Sequence, residues 1–190
     1  MEKQDFGYET IQNKEKVLSV KNLYGYGFSD INFDLHKGEI LTFTGLSGAG
    51  RTELAYSLFG YIPAKKGEIL IFNKKTIINN TSTAIKKGIG YLSENRKELG
   101  LFIEMEYREN IESNNLDKFS KNFIINKSKR DKVAEDLKKQ FDIKIPKIEH
   151  LVLNMSGGNQ QKVSISKWIY ANLKILIVDE PTMGVDVGAK

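Results

Sequence analysis

Segments typical of strands alternate with segments typical of helices along this chain, which predicts an α/β fold with a largely parallel sheet. Apolar runs at residues 69–72 and 175–178 are typical of buried strands. A glycine-rich loop at residues 45–52 follows one apolar run and precedes residues with helical spacing. The 190 residues are enough for one domain with a sizeable core.

The segments before the loop are predicted in chain order as a tail and three strands. Residues up to about Lys16 are polar and without periodicity, which indicates a tail or linker. Structure begins with the apolar residues 17–20, and residues 31–35 alternate as in a half-buried strand. Residues 39–43 are expected to form a strand that runs directly into the loop.

Beyond the loop, residues 54–59 have helical spacing, and residues 67–72 and 88–92 are predicted strands. From about residue 95 to 149 the pattern becomes helical. Val133, Leu137 and Phe141 recur at i, i+4 and i+8, as on the buried face of an amphipathic helix.

Two polar residues predict where the helix that carries Val133, Leu137 and Phe141 begins. Ser128 and Asp131 have the spacing of a capping box. A further helix is expected after residue 156, followed by the strand at residues 175–178.

Composition excludes several classes of protein. The net charge of +5 is spread along the chain, which favours a solvated surface over a nucleic-acid site. There are no cysteines, so disulfides and cysteine-ligated metals are excluded. No apolar run is long enough for a transmembrane helix, and the first residues lack the pattern of a signal peptide.

The glycine-rich loop has the composition and context of a phosphate-binding loop. Glycines let backbone N–H groups surround a phosphate, and the following helix adds a favourable dipole. Thr52 has the hydroxyl that such loops place on Mg²⁺. Arg51 stands where a lysine is usual, so we expect binding to survive and transition-state stabilisation to suffer. The residues assigned to nucleotide binding are Gly45, Leu46, Ser47, Gly48, Ala49, Gly50, Arg51 and Thr52.

Two acidic residues follow the last predicted strand. Because residues 175–178 are all apolar, we expect a strand buried on both faces, with Asp179 emerging at its carboxyl end. Asp179 is predicted to hold Mg²⁺, and Glu180 to polarise the attacking water. The structural alternative is an acidic pair that merely ends the strand.

Ser156, Gly157 and Gly158 precede a predicted helix by a turn, about twenty residues before the acidic pair. Backbone N–H groups at a helix start bind anions, so this turn is a second candidate phosphate site. Ser156 is also a common helix cap, although a cap does not explain two glycines followed by Gln160.

Together these motifs resemble the ATP-binding-cassette ATPases over about residues 17–190. The match is closest to the second, C-terminal cassette of tandem subunits that energise bacterial ribose, galactose and xylose importers, in which arginine in the loop is usual. Nucleoside importers have similar tandem subunits. The resemblance implies a P-loop fold with an antiparallel β portion and an inserted helical subdomain. It divides the chain into a tail at 1–16, a core at 17–94, a helical and signature subdomain at 95–165, and a return to the core at 166–190.

The resemblance also implies the roles of the remaining site residues. Ser156, Gly157, Gly158 and Gln160 match the signature that completes a partner's ATP site, and Asp186 lies in the D-loop facing that partner. Glu94 stands where most cassettes have a glutamine near Mg²⁺ or the attacking water. Tyr24 or Tyr26 is expected to stack on adenine; strand-end packing explains either residue equally well.

The implied cofactors are ATP and Mg²⁺, and the implied partners are a second cassette and membrane permease subunits, with no direct nucleic-acid contact. The implied location is the cytoplasmic face of the bacterial plasma membrane. The family's later strands and switch histidine lie downstream of the D-loop, so we expect this truncated core to be less stable and its own site weak. The transported sugar is left open.

Two other functional classes remain as alternatives. One is a nucleotide-binding module without catalysis, which Arg51 and Glu94 favour. The other is a DNA- or ribosome-linked cassette, against which the chain lacks both long heptad repeats and concentrated basic arms.

Overall fold

The computed structural model of the protein describes residues 14–122 and 124–180. The described residues fall into two compact units, which divide after Lys87. Each unit is therefore described by itself. The predicted boundaries at residues 94 and 165 stay predictions, and most of the predicted tail lies outside the described residues.

The first unit is built on a four-stranded antiparallel sheet with the order β2-β1-β3-β4. Its central strand, β1, pairs Val20 with Phe33 of β2 on one side and with Ile69 of β3 on the other. The buried side chains of β1 and β3 make the core of this unit. The strands are β1 (Lys16–Tyr24), β2 (Ile31–His36), β3 (Lys66–Ile71) and β4 (Lys74–Lys75).

Two helices complete the first unit: α1 (Arg51–Phe59) and α2 (Thr81–Lys86). The apolar side chains predicted to share one face of α1 are buried. Helix α1 ends at Gly60, whose φ of 77° permits the backbone to turn and its N–H to bond to the last carbonyls.

The predicted strand at residues 39–43 is wrong, since this segment has no regular structure. Ile40 is 93% exposed, and the ring of Phe43 packs edge-on against that of Phe33 in β2. The Glu39 carboxylate instead accepts a hydrogen bond from the backbone N–H of His36. An extended segment becomes a strand only when a neighbour supplies ladder partners, and no described residue does so here.

The second unit contains the parallel part of the fold. Strands β5 (Ile89–Leu92) and β8 (Ile175–Val178) pair in parallel, with Leu92 opposite Val178. No third strand joins them among the described residues. Only Ile175 of β8 is fully buried, so the expectation of a strand covered on both faces is wrong for the described residues.

Helices and short turns fill the sequence between β5 and β8. They enclose one apolar cluster centred on Tyr107, Ile111 and Val163, all completely buried. The predicted buried face of the amphipathic helix is confirmed, because Leu137 lies in this cluster and Val133 and Phe141 pack against it. These elements are a π-helical turn (Arg96–Gly100), α3 (Tyr107–Glu112), α4 (Leu116–Phe119), α5 (Lys127–Gln140), a 3₁₀ turn (Val152–Asn154) and α6 (Gly157–Tyr170).

The start of α5 differs from the prediction. Asn126, rather than Ser128, caps this helix, because its side chain accepts a hydrogen bond from the N–H of Lys129 at 3.0 Å. A short antiparallel hairpin, β6 (Ser120–Lys121) with β7 (Ile124–Ile125), precedes it and was not predicted. None of the described helices combines the length and the apolar character needed to cross a membrane.

Candidate functional site

The glycine-rich loop contains two left-handed glycines and a tight turn. Gly48 and Gly50 have φ values of 79° and 81°, in the left-handed region that other residues avoid. The N–H of Ala49 bonds to the carbonyl of Leu46 at 3.1 Å, which closes a tight turn before α1. Successive N–H groups in such a turn form an anion-binding concavity.

Gly50 is required at the start of α1 for a second reason. A Cβ atom there would collide with the carbonyl oxygen of Gly27, so the loop approaches this backbone more closely than any side chain allows. The N-cap residue of α1 is Gly50, which has no side chain to accept from the first N–H groups of the helix. The N-terminal N–H groups of α1 therefore suit a phosphate.

Arg51 and Thr52 are the first two residues of α1, and both side chains are half-buried. This position suits the predicted contacts of Arg51 with phosphate and of the Thr52 hydroxyl with Mg²⁺. Gly45, Leu46, Ser47 and Ala49 are exposed on the same loop. Their roles in binding stay predictions.

The two candidate adenine-stacking residues differ in their surroundings. Tyr24 ends β1 and is half-buried, and the ammonium of Lys66 lies 3.9 Å from its ring centroid. This cation–π contact covers one face of the Tyr24 ring. Tyr26 is 66% exposed. The prediction of stacking stays open for both, and Tyr26 presents the larger exposed ring.

In the second unit, β8 delivers Asp179 to the carboxyl end of the parallel pair, as predicted. The N–H of Asp179 bonds to the carbonyl of Leu92 at 2.9 Å, which continues the ladder by one residue. The hydroxyl of Tyr91, on β5, donates to the Asp179 carboxylate at 2.9 Å. This hydrogen bond fixes one carboxylate oxygen and leaves the other for a different partner.

Sequence reasoning missed Tyr91 as part of this site. Eighty-eight residues separate it from Asp179, so only the pairing of β5 with β8 brings the two together. The sequence of β5 gave no sign of which residue faces the site, because all four of its residues are buried.

Glu180 and Glu94 are the predicted catalytic carboxylates of this unit. Glu180 is exposed and has a φ of 43°, so the chain leaves the strand sharply at this point. Glu94 lies two residues beyond β5 and is half-buried. Both therefore follow the carboxyl ends of paired strands, where open α/β sheets bind ligands.

The predicted signature turn starts α6. Ser156 caps this helix, with its Oγ accepting from the N–H of Asn159 at 3.4 Å and from the Asn159 side chain at 3.0 Å. Ser156 is exposed, and Gly157 and Gly158 are half-buried in the first turn. Ser156 thus caps α6, and the anion-binding role of this turn stays a prediction.

Gln160 lies differently from the other signature residues. Its side chain is buried, and its Nε2 donates to the carbonyl of Val152 at 3.1 Å. The amide beside Ser156 is that of Asn159, whose Oδ1 accepts from the N–H of Lys144. A contact between Gln160 and a partner's nucleotide stays a prediction. Asp186, predicted in the D-loop, lies outside the described residues.

The described residues contain no complete metal cage of acidic, histidine or cysteine side chains. No group of three His, Cys, Asp or Glu side chains among residues 14–122 and 124–180 could hold a metal ion. Mg²⁺ commonly binds through one or two protein ligands, with phosphate oxygens and waters completing its shell. Thr52, in the first unit, and Asp179, in the second, each carry an oxygen of the kind that Mg²⁺ binds, and their roles as ligands stay predictions.

Comparison with known proteins identifies the class to which this chain belongs. The ABC transporter family matches residues 28–183, which is most of the chain. The chain therefore belongs to the ABC transporter family.

The chain resembles proteins named for sugar import. It is 49% identical to the xylose import ATP-binding protein XylG of Thermoanaerobacter pseudethanolicus, over 93% of this chain and 37% of that protein. It is 47% identical to the ribose import ATP-binding protein RbsA of Bacillus subtilis, over 93% of this chain and 36% of that protein. The chain thus spans about a third of the length of these relatives.

Solved cassettes share the fold. A dimeric ATP-binding cassette in a post-hydrolysis state, bound to ADP and Pi, superposes with a TM-score of 0.74 at 22% identity, covering 90% of this chain and 77% of that one. A nucleotide-free cassette from an ABC transporter gives 0.73 at 19% identity, covering 92% and 72%. The predicted α/β fold of the ABC type is confirmed.

Proposed function

We propose that this chain is an ATP-binding portion of a bacterial monosaccharide importer and acts in ATP hydrolysis at an interface with a second cassette. The observation that carries the proposal is an identity of 41–49% to sugar import ATP-binding proteins over nearly the whole chain. Three observations support it: the left-handed glycines of the loop, the hydrogen bond from Tyr91 to the Asp179 carboxylate, and the start of α6 at the signature turn. The proposed location is the cytoplasmic face of the plasma membrane.

In this proposal each of the chain's own residues has a defined task. Backbone N–H groups of the loop and Arg51 would hold phosphates, and Thr52 and Asp179 are each proposed as ligands that Mg²⁺ would take. Glu180 would orient the attacking water, and Glu94 is proposed to assist. The chemistry that Mg²⁺ would supply, when bound, is neutralisation of charge on the phosphates. Tyr91 holds the Asp179 carboxylate in one orientation, so that less entropy is lost when Asp179 meets its ligand.

The two phosphate sites of the chain are proposed to contribute unequally. Arg51 presents a planar fork where a lysine would place a compact charge, which weakens stabilisation of the transferring phosphoryl group. The signature turn has no such departure, since its serine and both glycines are in place at the start of α6. The signature, completing the site of a second cassette in the same tandem subunit, is therefore proposed to matter more for turnover.

The test compares Ser156→Arg with Arg51→Ala in the full tandem subunit assembled with its permease. Ser156→Arg puts a bulky cation on the phosphate turn and is expected to lower ATP turnover at least a hundredfold. Arg51→Ala is expected to lower turnover less than tenfold. Ser128→Arg, on the exposed face of α5, is the matched control for size and charge and should leave turnover unchanged. If only Arg51→Ala abolishes turnover, the proposed division of labour is wrong.

A second candidate function is nucleotide binding without catalysis by the chain's own site. The observation that favours it is the joint presence of Arg51 and Glu94 at positions where most cassettes have lysine and glutamine. Calorimetric titration of Mg-ATP into the 190-residue chain, with turnover measured in parallel, separates the two. Tight binding without turnover supports this second function for the isolated chain.

The proposed contact with the permease is an apolar surface in the second unit. The N–H of Val152 bonds to the carbonyl of Met105 at 3.1 Å, and that of Leu153 to Ile103 at 2.7 Å. Two segments are thus held side by side, and their large apolar side chains are exposed. We name this the docking surface: Leu99, Phe102, Met105, Leu151 and Leu153.

A charged substitution tests this surface. Phe102→Asp is expected to reduce association with the permease at least tenfold, because a buried aromatic anchor contributes strongly to an interface. Ile124→Asp, at another exposed apolar position, on the β6–β7 hairpin, is the control and should leave association unchanged. Equal loss of association in both variants would mean that the docking surface has no special role.

A further inference from the structure

Helix α6 carries a lysine whose ammonium group is buried. Lys167 is only 5% exposed, and its Nζ donates to the carbonyl oxygen of Gly100. Burial lowers the pKa of Lys167 to about 8, because the charged form loses its water. No carboxylate of the described residues forms an ion pair with it; the rings of Phe102 and Trp168 lie 6.0 and 5.8 Å from the ammonium.

Gly100, whose carbonyl accepts this hydrogen bond, ends a turn that closely follows Glu94, a predicted catalytic residue. Gly100 is the last residue of the π-helical turn, which begins two residues after Glu94. Gly100 also packs directly on α6, since a Cβ atom there would lie 3.4 Å from the Oγ of Ser164. The ammonium therefore holds the carbonyl end of the turn, where the partial negative charge of the turn is concentrated.

A second buried polar side chain holds the same stretch of backbone a few residues later. Asn110, on α3, is completely buried. Its Oδ1 accepts from the N–H of Phe102, and its Nδ2 donates to the carbonyl of Phe102, both at 2.9 Å. The backbone that runs from Glu94 to the docking surface is thus attached at Gly100 to α6 and at Phe102 to α3.

Burying a lysine costs free energy because its charge is removed from water. Packing alone does not require a charged side chain at this position. A methionine of similar length would fill the same volume without removing a charge from water. Replacing the donor would leave the Gly100 carbonyl without this partner. The ammonium is therefore better explained by the backbone segment it holds than by the space it fills.

We propose that Lys167 is a positioning residue: it ties the turn after Glu94 to the helix that carries the signature. Lys167 lies ten residues beyond Gly157 on α6. Displacement of the docking surface would thus be transmitted through Phe102 and Gly100 to α6, and Glu94 would move with the signature turn. The consequence for ATP turnover rests on the proposed function, whereas the tether itself does not.

Amide hydrogen exchange of the 190-residue chain, followed by mass spectrometry, tests the tether without any nucleotide. Lys167→Met is expected to raise exchange in residues 94–101 at least tenfold, and Lys167→Arg to restore most of the protection. Lys118→Met is the matched control, because Lys118 also donates to a backbone carbonyl, that of Tyr170 on α6 at 2.9 Å. This hydrogen bond does not involve the backbone of residues 94–101. Unchanged exchange in residues 94–101 of Lys167→Met would overturn the proposal.

A measurement on the unaltered chain covers the case in which Lys167→Met does not fold. An ammonium held against Gly100 should be the slowest lysine to react with an amine-acylating reagent, at least tenfold slower than Lys118. Reaction as fast as that of Lys118 would overturn the tether. Repeating the exchange measurement with Mg-ATP separates the two proposals, since a chain that fails to bind nucleotide contradicts the proposed function while the tether result stands.

Discussion

The phosphate loop and the signature turn both start a helix, yet they are supported very differently within their own units. Before α1, the segment leading into the loop is unpaired, with Ile40 and Leu46 being 93% and 86% exposed. Helix α6 instead buries Val163 and Trp168 in its own unit and is further held by Lys167. The signature turn is therefore built on a packed scaffold, whereas the segment before the loop gains little from its unit.

This difference teaches where the binding geometry of each site comes from. The loop depends on glycine conformations and on the close approach of Gly50 to Gly27, which are local features. The signature turn depends on tertiary packing of the whole helix behind it. We therefore expect substitutions in the core of the second unit to damage the signature, and substitutions on the exposed loop to have local effects only.

The largest expected effect comes from removing the centre of the second unit's core. Tyr107→Ala deletes a completely buried ring and its hydrogen bond to the carbonyl of Ala134, and should lower the free energy of unfolding by about 3–5 kcal/mol. Leu46→Ala, on the exposed loop, should change it by less than about 0.5 kcal/mol. Urea unfolding followed by the single tryptophan, Trp168, measures both; similar losses would remove the contrast between the regions.

An intermediate effect is expected from pH. The pKa of Lys167 is lowered from 10.5 to about 8 on folding, so the unfolded chain binds more protons between these values. Stability should therefore rise with pH across this window, by roughly 2–3 kcal/mol between about pH 7 and pH 10. Urea unfolding at both pH values, compared with Lys167→Met, isolates this contribution because other groups cancel. An equal pH dependence in the variant would show that Lys167 is not buried as described.

The smallest expected effect separates the capping role of Ser156 from its proposed role in phosphate binding. Ser156→Ala removes the acceptor for the N–H of Asn159 and should destabilise α6 by about 1 kcal/mol. Ser128→Ala, on α5, should have almost no effect, because Asn126 caps that helix. Thermal unfolding of the two variants measures the difference. A loss at Ser128 as large as that at Ser156 would contradict the assignment of both caps.

The amino-acid sequence by itself determined the local features of this protein. Glycines at 48 and 50 dictate left-handed turns because only glycine adopts them without strain, and the spacing of Val133, Leu137 and Phe141 dictates a buried helix face. The position of Asp179 at a strand end also follows from local order. Each of these depends on neighbours within a few residues, which the sequence displays directly.

Only the tertiary structure decided the contacts between distant segments. Residues 39–43 have the composition of a strand but pair with no neighbouring strand among the described residues. The strand predicted from composition is therefore wrong. Tyr91 meets Asp179 only because β5 pairs with β8. A lysine is usually exposed, and nothing in the sequence around Lys167 indicates otherwise. Its burial depends on a turn sixty-seven residues earlier in the chain. Pairing and burial are set by the free energy of the whole packed unit, which no short window of sequence contains.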